Sequence, residues 1–389
     1  MRDVTVEPPP LLKRLFEKIS GSIDPAVSEV LGRALEGKEV SKKDAVELFK
    51  AGGAELAALM LVADEMRRRT VGQAVTFVVN RNINFTNVCF ARCRFCAFST
   101  EEKSSEAYLL TVDQVAARAE QAWKTGATEV CIQGGLHPGI EEDYYENICR
   151  AIKGRAPLIH IHAFSPMEVF YGAWKAGLTV KEYLKVLKEA GLDSMPGTAA
   201  EILDDEVRDA LCPAKIGVRD WVEVVKEAHR QGIPTTSTIM YGHIEQPQHW
   251  ADHLELIRTI QKETKGFTEF IPLSFVYPNT PLYRIDGARP GATGAEDLKM
   301  HAVSRLMLNG WIRNIQASWV KLGPRLAQIC LLAGANDLGG TLMEENISRA
   351  AGVSSGQKMD LGEMVRIIRG IGRTPAQRNT TYKILKVHE

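Results

Sequence analysis

The chain has 389 residues, with 48 Lys and Arg against 48 Asp and Glu, so its net charge is zero and no basic excess calls for nucleic acid. Apolar residues make up 45% of it, enough for a sizeable core. No stretch approaches the ~20 apolar residues of a membrane span. The start, Met1-Arg2-Asp3-Val4 followed by Pro8 to Pro10, carries no apolar run of signal length. These features predict a cytoplasmic protein, where thiols stay reduced, with no membrane or nucleic-acid partner.

Residues 1–72 read as a helical extension. Leu11, Leu12, Leu15, Phe16 and Ile19 recur at helical spacing, and Ser41-x-x-Asp44 has the form of a capping box ahead of Val46, Leu48 and Phe49. An Ala/Leu-rich helix follows from Leu56 to Met66, and no chemistry is visible in any of it. Ala74 to Val79, continued by Ile83 and Phe85, is apolar and β-branched, the pattern of a strand. It runs into a loop bearing Cys89, Cys93 and Cys96 at spacing C-x3-C-x2-C.

Beyond that loop strand and helix alternate. Thr111-x-x-Gln114 opens a helix that Gly126 stops, and Glu129 to Gln133 is a short buried strand followed by Gly134-Gly135. A helix over about 141–153 precedes the strand Leu158 to Phe164, in which His160 and His162 share one face because side chains alternate. Thr179-x-x-Glu182 caps another helix, and Ser194-Met195 is strand-like before Pro196-Gly197. Then come helix 221–230, strand 235–240, helix 250–262, strand 267–273, a helix through Met307 and strand 314–318. A helix after Pro324 leads to Asn336-Asp337-Leu338. About eight such alternations predict an α/β fold, a TIM-type (βα)8-like barrel over residues 73–345, with a small C-terminal cap or tail over 346–389.

Three thiolates within eight residues can converge on one soft metal centre. A [4Fe–4S] cluster has four irons and usually takes four thiolates; three leave one iron open to bind and reduce a ligand. A structural zinc site would want a fourth Cys or His, commonly as a second paired motif. Cys131, Cys149, Cys212 and Cys330 are scattered singly and read as buried inert thiols. Two readings of other classes stand beside a cluster enzyme: an iron–sulfur electron-transfer protein, and a zinc barrel hydrolase using His160 and His162.

In barrels of this type chemistry sits at the C-terminal ends of the strands. Gly134-Gly135 allows a backbone to approach a ligand. His162, nearer the end of its strand than His160, is the better active-site candidate, together with the following Ser165-Pro166-Met167-Glu168. Glu201 and Arg208, seven apart, would share a face of a helix, and an arginine suits a carboxylate through bidentate hydrogen bonds. His249 and His253 on an amphipathic helix read as structural.

Cys89, Cys93 and Cys96, with Phe95 before the last of them, resemble the cluster loop of radical S-adenosylmethionine (SAM) enzymes. The resemblance implies a [4Fe–4S] cluster whose open iron is chelated by SAM. An electron donor then drives cleavage of SAM to methionine and a 5′-deoxyadenosyl radical. It also implies SAM binding by Phe95, Gly134, Gly135, Ser165, Glu201 and Arg208.

Five segments are more specific: Asn84 to Cys89, His162 to Pro166, Pro196 to Leu203, Tyr241 to Glu245 and Gly266 to Leu273. Together they resemble the second-subunit family of 8-hydroxy-5-deazaflavin (FO) synthase. That family joins the 4-hydroxybenzyl group of L-tyrosine to 5-amino-6-(D-ribitylamino)uracil. Hydrogen is abstracted from the tyrosine amine, the Cα–Cβ bond breaks, and a glycine-derived imine is lost. Asn84, His162, Thr198, Tyr241, His243, Glu245 and Glu269 are the candidates for holding the two substrates. A single cluster motif matches the separate transferase, which hands its product to the cyclising FO synthase subunit. The menaquinone-branch enzymes aminofutalosine synthase and dehypoxanthine futalosine cyclase are the alternative. They share the loop and the barrel but tend to carry a Gly-rich run where this chain has Thr198-Ala199-Ala200.

Overall fold

The structure, a computed structural model, describes residues 10–285 and 287–389. Residues 1–9, with Pro8 and Pro9, and the side chains of Leu11 and Leu12 lie outside that description. Four helices come first: α1 (Pro10–Ser20), α2 (Pro25–Leu35), α3 (Lys42–Lys50) and α4 (Gly53–Val71). The Ser41/Asp44 capping box forms as its spacing predicts. Then come β1 (Ala74–Val78), β2 (Asn80–Ile83), α5 (Val112–Lys124), β3 (Glu129–Ile132), α6 (Tyr144–Arg155) and β4 (His160–Ala163). Helices α7 (Pro166–Lys175), α8 (Val180–Ala190), α9 (Asp205–Leu211) and α10 (Val218–Arg230) lead to β5 (Thr235–Tyr241). The remainder is α11 (Pro247–Thr264), β6 (Phe267–Ser274), α12 (Gly294–Leu308), α13 (Trp319–Cys330), β7 (Asp337–Gly340), α14 (Ile347–Ala350), α15 (Leu361–Arg369), β8 (Thr374–Arg378) and β9 (Ile384–Val387).

The strands close into a ring in which every neighbouring pair is parallel. β2 pairs with β3 and β3 with β4. His162 bridges to Ser194 and Met195 to Thr235, so Ser194-Met195 is a fourth stave reduced to two residues. β5 pairs with β6. Ile315 and Gln316 bridge Phe270 to Asp337 as a seventh stave, where the sequence predicted a strand over 314–318. β7 returns to β1. The predicted helix after Pro324 begins earlier, at Trp319, and breaks at Gly323, whose φ of 73° is left-handed. The N-terminal helices pack outside the ring against α11 and α12; the Phe49 ring meets Trp250 edge-on at 5.0 Å, and Arg258 donates to Val40 O at 2.8 Å. No helix among the described residues is long and apolar enough to cross a membrane.

The C-terminal segment does something that strand and helix alternation does not foretell. β8 lies parallel to β1 from Ala74↔Thr374 to Val78↔Arg378, opposite β7, and β9 turns back antiparallel on β8. The first stave is thus flanked by β8 in its lower half and by β3 in its upper half. Arg378 is carried into the base of the ring, where it forks onto Asp337 at 2.6 and 3.0 Å and lies over the Tyr382 ring at 4.0 Å. Thr76 donates to the same Asp337 carboxylate at 2.5 Å, and Tyr382 donates to Glu269 Oε2 at 2.6 Å.

Burial pushes the Glu269 carboxyl up to about 7, with Arg378 opposing and Asp337 reinforcing the push. The folded chain therefore holds this proton more tightly than the unfolded one, whose carboxyl titrates near 4.5. Stability from this group is present below pH 4.5 and lost as pH rises towards 7. Glu269→Gln, which cannot ionise but still accepts from Tyr382, should be more stable than the parent at pH 8 by on the order of 2 kcal/mol. It should match the parent at pH 4.5, and denaturant unfolding at the two pH values reads the difference. Equal shifts at both would show that Glu269 is not the titrating group. Arg378→Met strands Asp337 without its counter-ion and should cost roughly 3–5 kcal/mol in the same assay at neutral pH.

Candidate active site

Beyond β2 the chain leaves the ring and forms the cysteine loop over its C-terminal mouth. Three long-range bonds fix that loop: Cys89 N–H to Thr100 O at 3.2 Å, Phe90 N–H to Leu136 O at 3.2 Å and Arg94 N–H to Leu211 O at 2.9 Å. A turn joins Cys96 N–H to Cys93 O at 3.0 Å, and Arg92 takes left-handed backbone with φ of 44°. The three cysteines line a cavity of about 220 Å³ at the mouth, with Phe95, Gly134, Gly135, Ser165 and Glu201 in its wall. Burial pushes the Cys96 thiol up and the neighbouring Cys93 adds to it, while the amides of Phe98 and Ser99 pull the other way. A thiolate in such surroundings needs a cation on it.

The donor set fits a cluster better than a single ion. Among the described residues no three His, Cys, Asp or Glu side chains gather as one metal ion would require. In a cubane each thiolate binds a different corner, and here the three cysteines border one cavity. His160 Nε2 and His162 Nδ1 both meet Ser194 Oγ at 2.7 Å. Cys212, at the end of α9, neighbours Cys93 and is therefore not remote from the site, as its lone position in sequence suggested.

The residues predicted to bind SAM divide. Gly134 and Gly135 line the cavity, but the protein itself demands them. A Cβ on Gly134 would stand 2.5 Å from the Phe85 ring, and one on Gly135 would stand 2.1 Å from Val88 O. Ser165 also lines it, yet its hydroxyl caps α7: it donates to Glu168 at 2.6 Å and accepts from Glu168 N–H at 3.3 Å. Glu168 in turn accepts from Gly134 N–H at 3.0 Å, tying the glycine turn to α7.

Glu201 faces the cavity from a left-handed turn with φ of 42°, ahead of α9 rather than on a helix, so it does not share a helical face with Arg208. Its partner is Lys215 at 2.7 Å, whose ammonium also stands 5.3 Å over the Phe95 ring. Lys215 draws the Glu201 carboxyl below its usual range despite burial. Arg208 is absent from the cavity wall. Its guanidinium is spent on backbone carbonyls, Ala200 O and Ile216 O at 2.6 Å and Ala199 O at 3.1 Å, and so it props the turn that presents Glu201.

Below the mouth a second cavity of about 260 Å³ runs down the inside of the ring. Asn84, His162, Thr198 and Glu269 line it, as do Asn82, Glu129, Cys131, Arg378 and Thr380. Asn84 donates to Gln133 O at 3.0 Å and Thr198 to Gln133 Oε1 at 3.2 Å. Burial lowers the His162 imidazole to about 4, so it is neutral, with Nε2 left without a protein partner among the described residues. Glu269 uses only Oε2 in hydrogen bonds to the protein.

Tyr241, His243 and Glu245 line neither cavity. Tyr241 Oη donates to Asp297 at 2.6 Å, and His243 Nε2 meets Met240 O at 3.0 Å. Glu245 accepts from Gly242 N–H, His243 N–H, Trp250 Nε1 and Arg289 at 2.5, 2.8, 2.9 and 3.0 Å. These three hold a buried turn together and have nothing left for a substrate. His253 is structural as expected, accepting from Leu203 N–H at 3.1 Å. Lys215, Lys321, Glu129 and Gln133 line the cavities but no sequence motif announces them. Gln133 alone carried a hint, directly before the two glycines.

Residues 83–257 match the model of the Radical SAM superfamily and residues 264–389 that of the CofH/MqnC C-terminal region. Among solved structures, methylornithine synthase superposes with a TM-score of 0.70 at 20% identity, covering 89% of this chain and 97% of that one. The FeFe-hydrogenase maturase HydG from Carboxydothermus hydrogenoformans does so with 0.72 at 16% identity, covering 96% and 85%. Both speak to the barrel alone. Over 338 residues the chain is 53% identical to the FO synthase of Mycobacterium tuberculosis, covering 87% of itself and 40% of that protein. It is 56% identical over 352 residues to the 5-amino-6-(D-ribitylamino)uracil–L-tyrosine 4-hydroxyphenyl transferase of Methanocaldococcus jannaschii, covering 90% and 98%. To the protein of the same name from Methanothermobacter thermautotrophicus it is 52% identical over 362 residues, covering 93% and 98%. The barrel, the three-thiol loop at its mouth and these end-to-end likenesses agree: the chain belongs to the radical SAM family of 5-amino-6-(D-ribitylamino)uracil–L-tyrosine 4-hydroxyphenyl transferases.

Proposed function

We propose that this chain transfers the 4-hydroxybenzyl group of L-tyrosine to 5-amino-6-(D-ribitylamino)uracil, with a [4Fe–4S] cluster on Cys89, Cys93 and Cys96 and SAM beside it. The observation that carries this reading is that the two cavities adjoin. The thiol-lined pocket and the inner chamber share Gln133, Thr198, Leu273, Lys321 and Ile347 in their walls. A fragment released at the mouth can meet a second molecule held below it without passing through water. When bound, the cluster and SAM supply the electron and the adenosyl radical.

The protein's share is placement. Phe95 and the Gly134–Gly135 backbone border the cofactor pocket, and Glu201, held by Lys215, offers an acceptor for the hydroxyl or amino donors of SAM. Arg208 acts through the turn that carries Glu201. The inner chamber is rich in acceptors: Glu129, Glu269 and the buried Asn82 Oδ1, which has no partner among the described residues. That set suits the diaminouracil, whose ring N–H, amino and ribityl hydroxyl groups are donors. We place the enzyme in the cytoplasm, fed by an electron donor and passing its product to the cyclising FO synthase subunit.

Anaerobic reconstitution with iron and sulfide, then dithionite, SAM, L-tyrosine and the diaminouracil, tests the reading by mass spectrometry. The expected products are 5′-deoxyadenosine and a hydroxybenzyl adduct of the uracil. 5′-Deoxyadenosine without the adduct would direct attention to the menaquinone-branch substrates. Intact SAM over a reduced cluster would sink the enzyme reading. Cys93→Ala should abolish SAM cleavage while its far-UV circular dichroism stays that of the parent. Glu201→Gln, which weakens the pair with Lys215, should raise the KM for SAM about tenfold and leave that for tyrosine unchanged.

A further inference from the structure

Lys321 stands out among the charged groups of the two cavities. It follows the seventh stave in the first turn of α13 and lines both the cofactor pocket and the inner chamber. The other lysine at the mouth, Lys215, is paired with Glu201. Lys321 has no carboxylate within ion-pair distance and no hydrogen-bond partner among the described residues. Glu345, Cys96 and Glu201 act on it only from farther off, and burial outweighs them to lower its pKa. Lys321 is half-buried, and an ammonium that opens onto both cavities with no carboxylate of its own is free to pair with an anion that enters there.

We propose that Lys321 is the anchor for the carboxylate of the amino-acid substrate, holding L-tyrosine at the junction of the two cavities. The inference rests on the transferase reading and adds to it the residue that orients the donor. The reacting amine must face the adenosyl radical at the mouth, and the carboxylate is two bonds away on the same carbon. Deeper in the barrel Glu129 and Glu269 would repel a carboxylate, and the guanidinium beside them, Arg378, is already forked onto Asp337. The charged end of tyrosine therefore stays at Lys321, while the phenol ring points down towards the acceptor.

L-Tyrosinol, which lacks the carboxylate, tests this on the reconstituted wild-type enzyme with SAM and the diaminouracil saturating. Tyrosine should be preferred over tyrosinol on the order of 100-fold in kcat/KM. In Lys321→Met that preference should vanish through a rise in the KM for tyrosine, with the KM for SAM unchanged, and Lys321→Arg should retain most of it. Lys321→Met should also melt no lower than the parent in the absence of substrates, because the ammonium it removes pairs with no carboxylate of the protein; a purely structural lysine would make it melt lower. A wild type indifferent to the carboxylate overturns this proposal alone, without need of any variant. A rise in the KM for SAM instead of tyrosine would move Lys321 to the cofactor and also overturns it. A wild type that neither binds nor converts tyrosine overturns the transferase reading itself, and this inference with it.

Discussion

Asp337 and Arg378 are both out of water at the base of the barrel, with side chains 0% and 2% exposed, and their forked contact ties the ring together where its strands are shortest. The seventh stave, between β6 and β7, amounts to a pair of bridging residues, so backbone hydrogen bonds alone hold that arc weakly. The ion pair reaches across it. Asp337 opens β7 and takes a bond from Thr76 of β1, Arg378 ends β8, and through Tyr382 and Glu269 the contact extends to β6. Burying the two charges is expensive, and the cost is offset only because each finds several fixed partners. The geometry above depends on this floor, since Glu269 and Arg378 form the lower wall of the inner chamber.

The two cavities differ in electrostatic character along one axis. The mouth carries two ammonium groups, Lys215 and Lys321, close to the cysteines that would hold an anionic cluster. The bottom carries the carboxylates of Glu129 and Glu269 and uncharged acceptors, and its one guanidinium, Arg378, is already taken by Asp337. In the proposed arrangement, a zwitterion and a polar heterocycle in these adjoining cavities would be sorted by Lys321 above and the acceptors below: the anionic end up and the donor-rich ring down. Orientation is then set before any bond changes, which is how a protein contributes to chemistry that its cofactors perform.

What the sequence made legible follows from range. The capping boxes at Ser41, Thr111 and Thr179 are contacts over three residues, and all of them form as written. The three cysteines could be read because one loop carries them all. Alternation of strand and helix implied the barrel because parallel pairing needs crossovers. Misreadings arose where a residue's partner lies far off in sequence. Tyr241, His243 and Glu245 looked like a polar strand end, yet Asp297, Trp250 and Arg289 had already claimed them. Glu201 and Arg208 were joined by a helical spacing that does not exist there, while the true partner, Lys215, had no motif to mark it. Ser165 lies three residues after a candidate histidine, and its role as a helix cap is the simpler signal in Ser165 to Glu168.

The place of β8 bears on how the molecule assembles. Arg373, just before that strand, binds Asp64 across 309 residues of sequence, and the pairing of β8 with β1 spans a comparable distance. Contacts of such separation close very large loops, and the entropy of closing them has to be met before the contacts return anything. The helices and the adjacent β2–β3–β4 pairings can form early and locally, whereas the floor of the barrel is a late event. Until it is complete, the polar residues of the inner chamber have no structure around them, and the open edge of β1 is a site for wrong pairing. Folding of this chain should therefore be rate-limited at the end of the barrel opposite its chemistry.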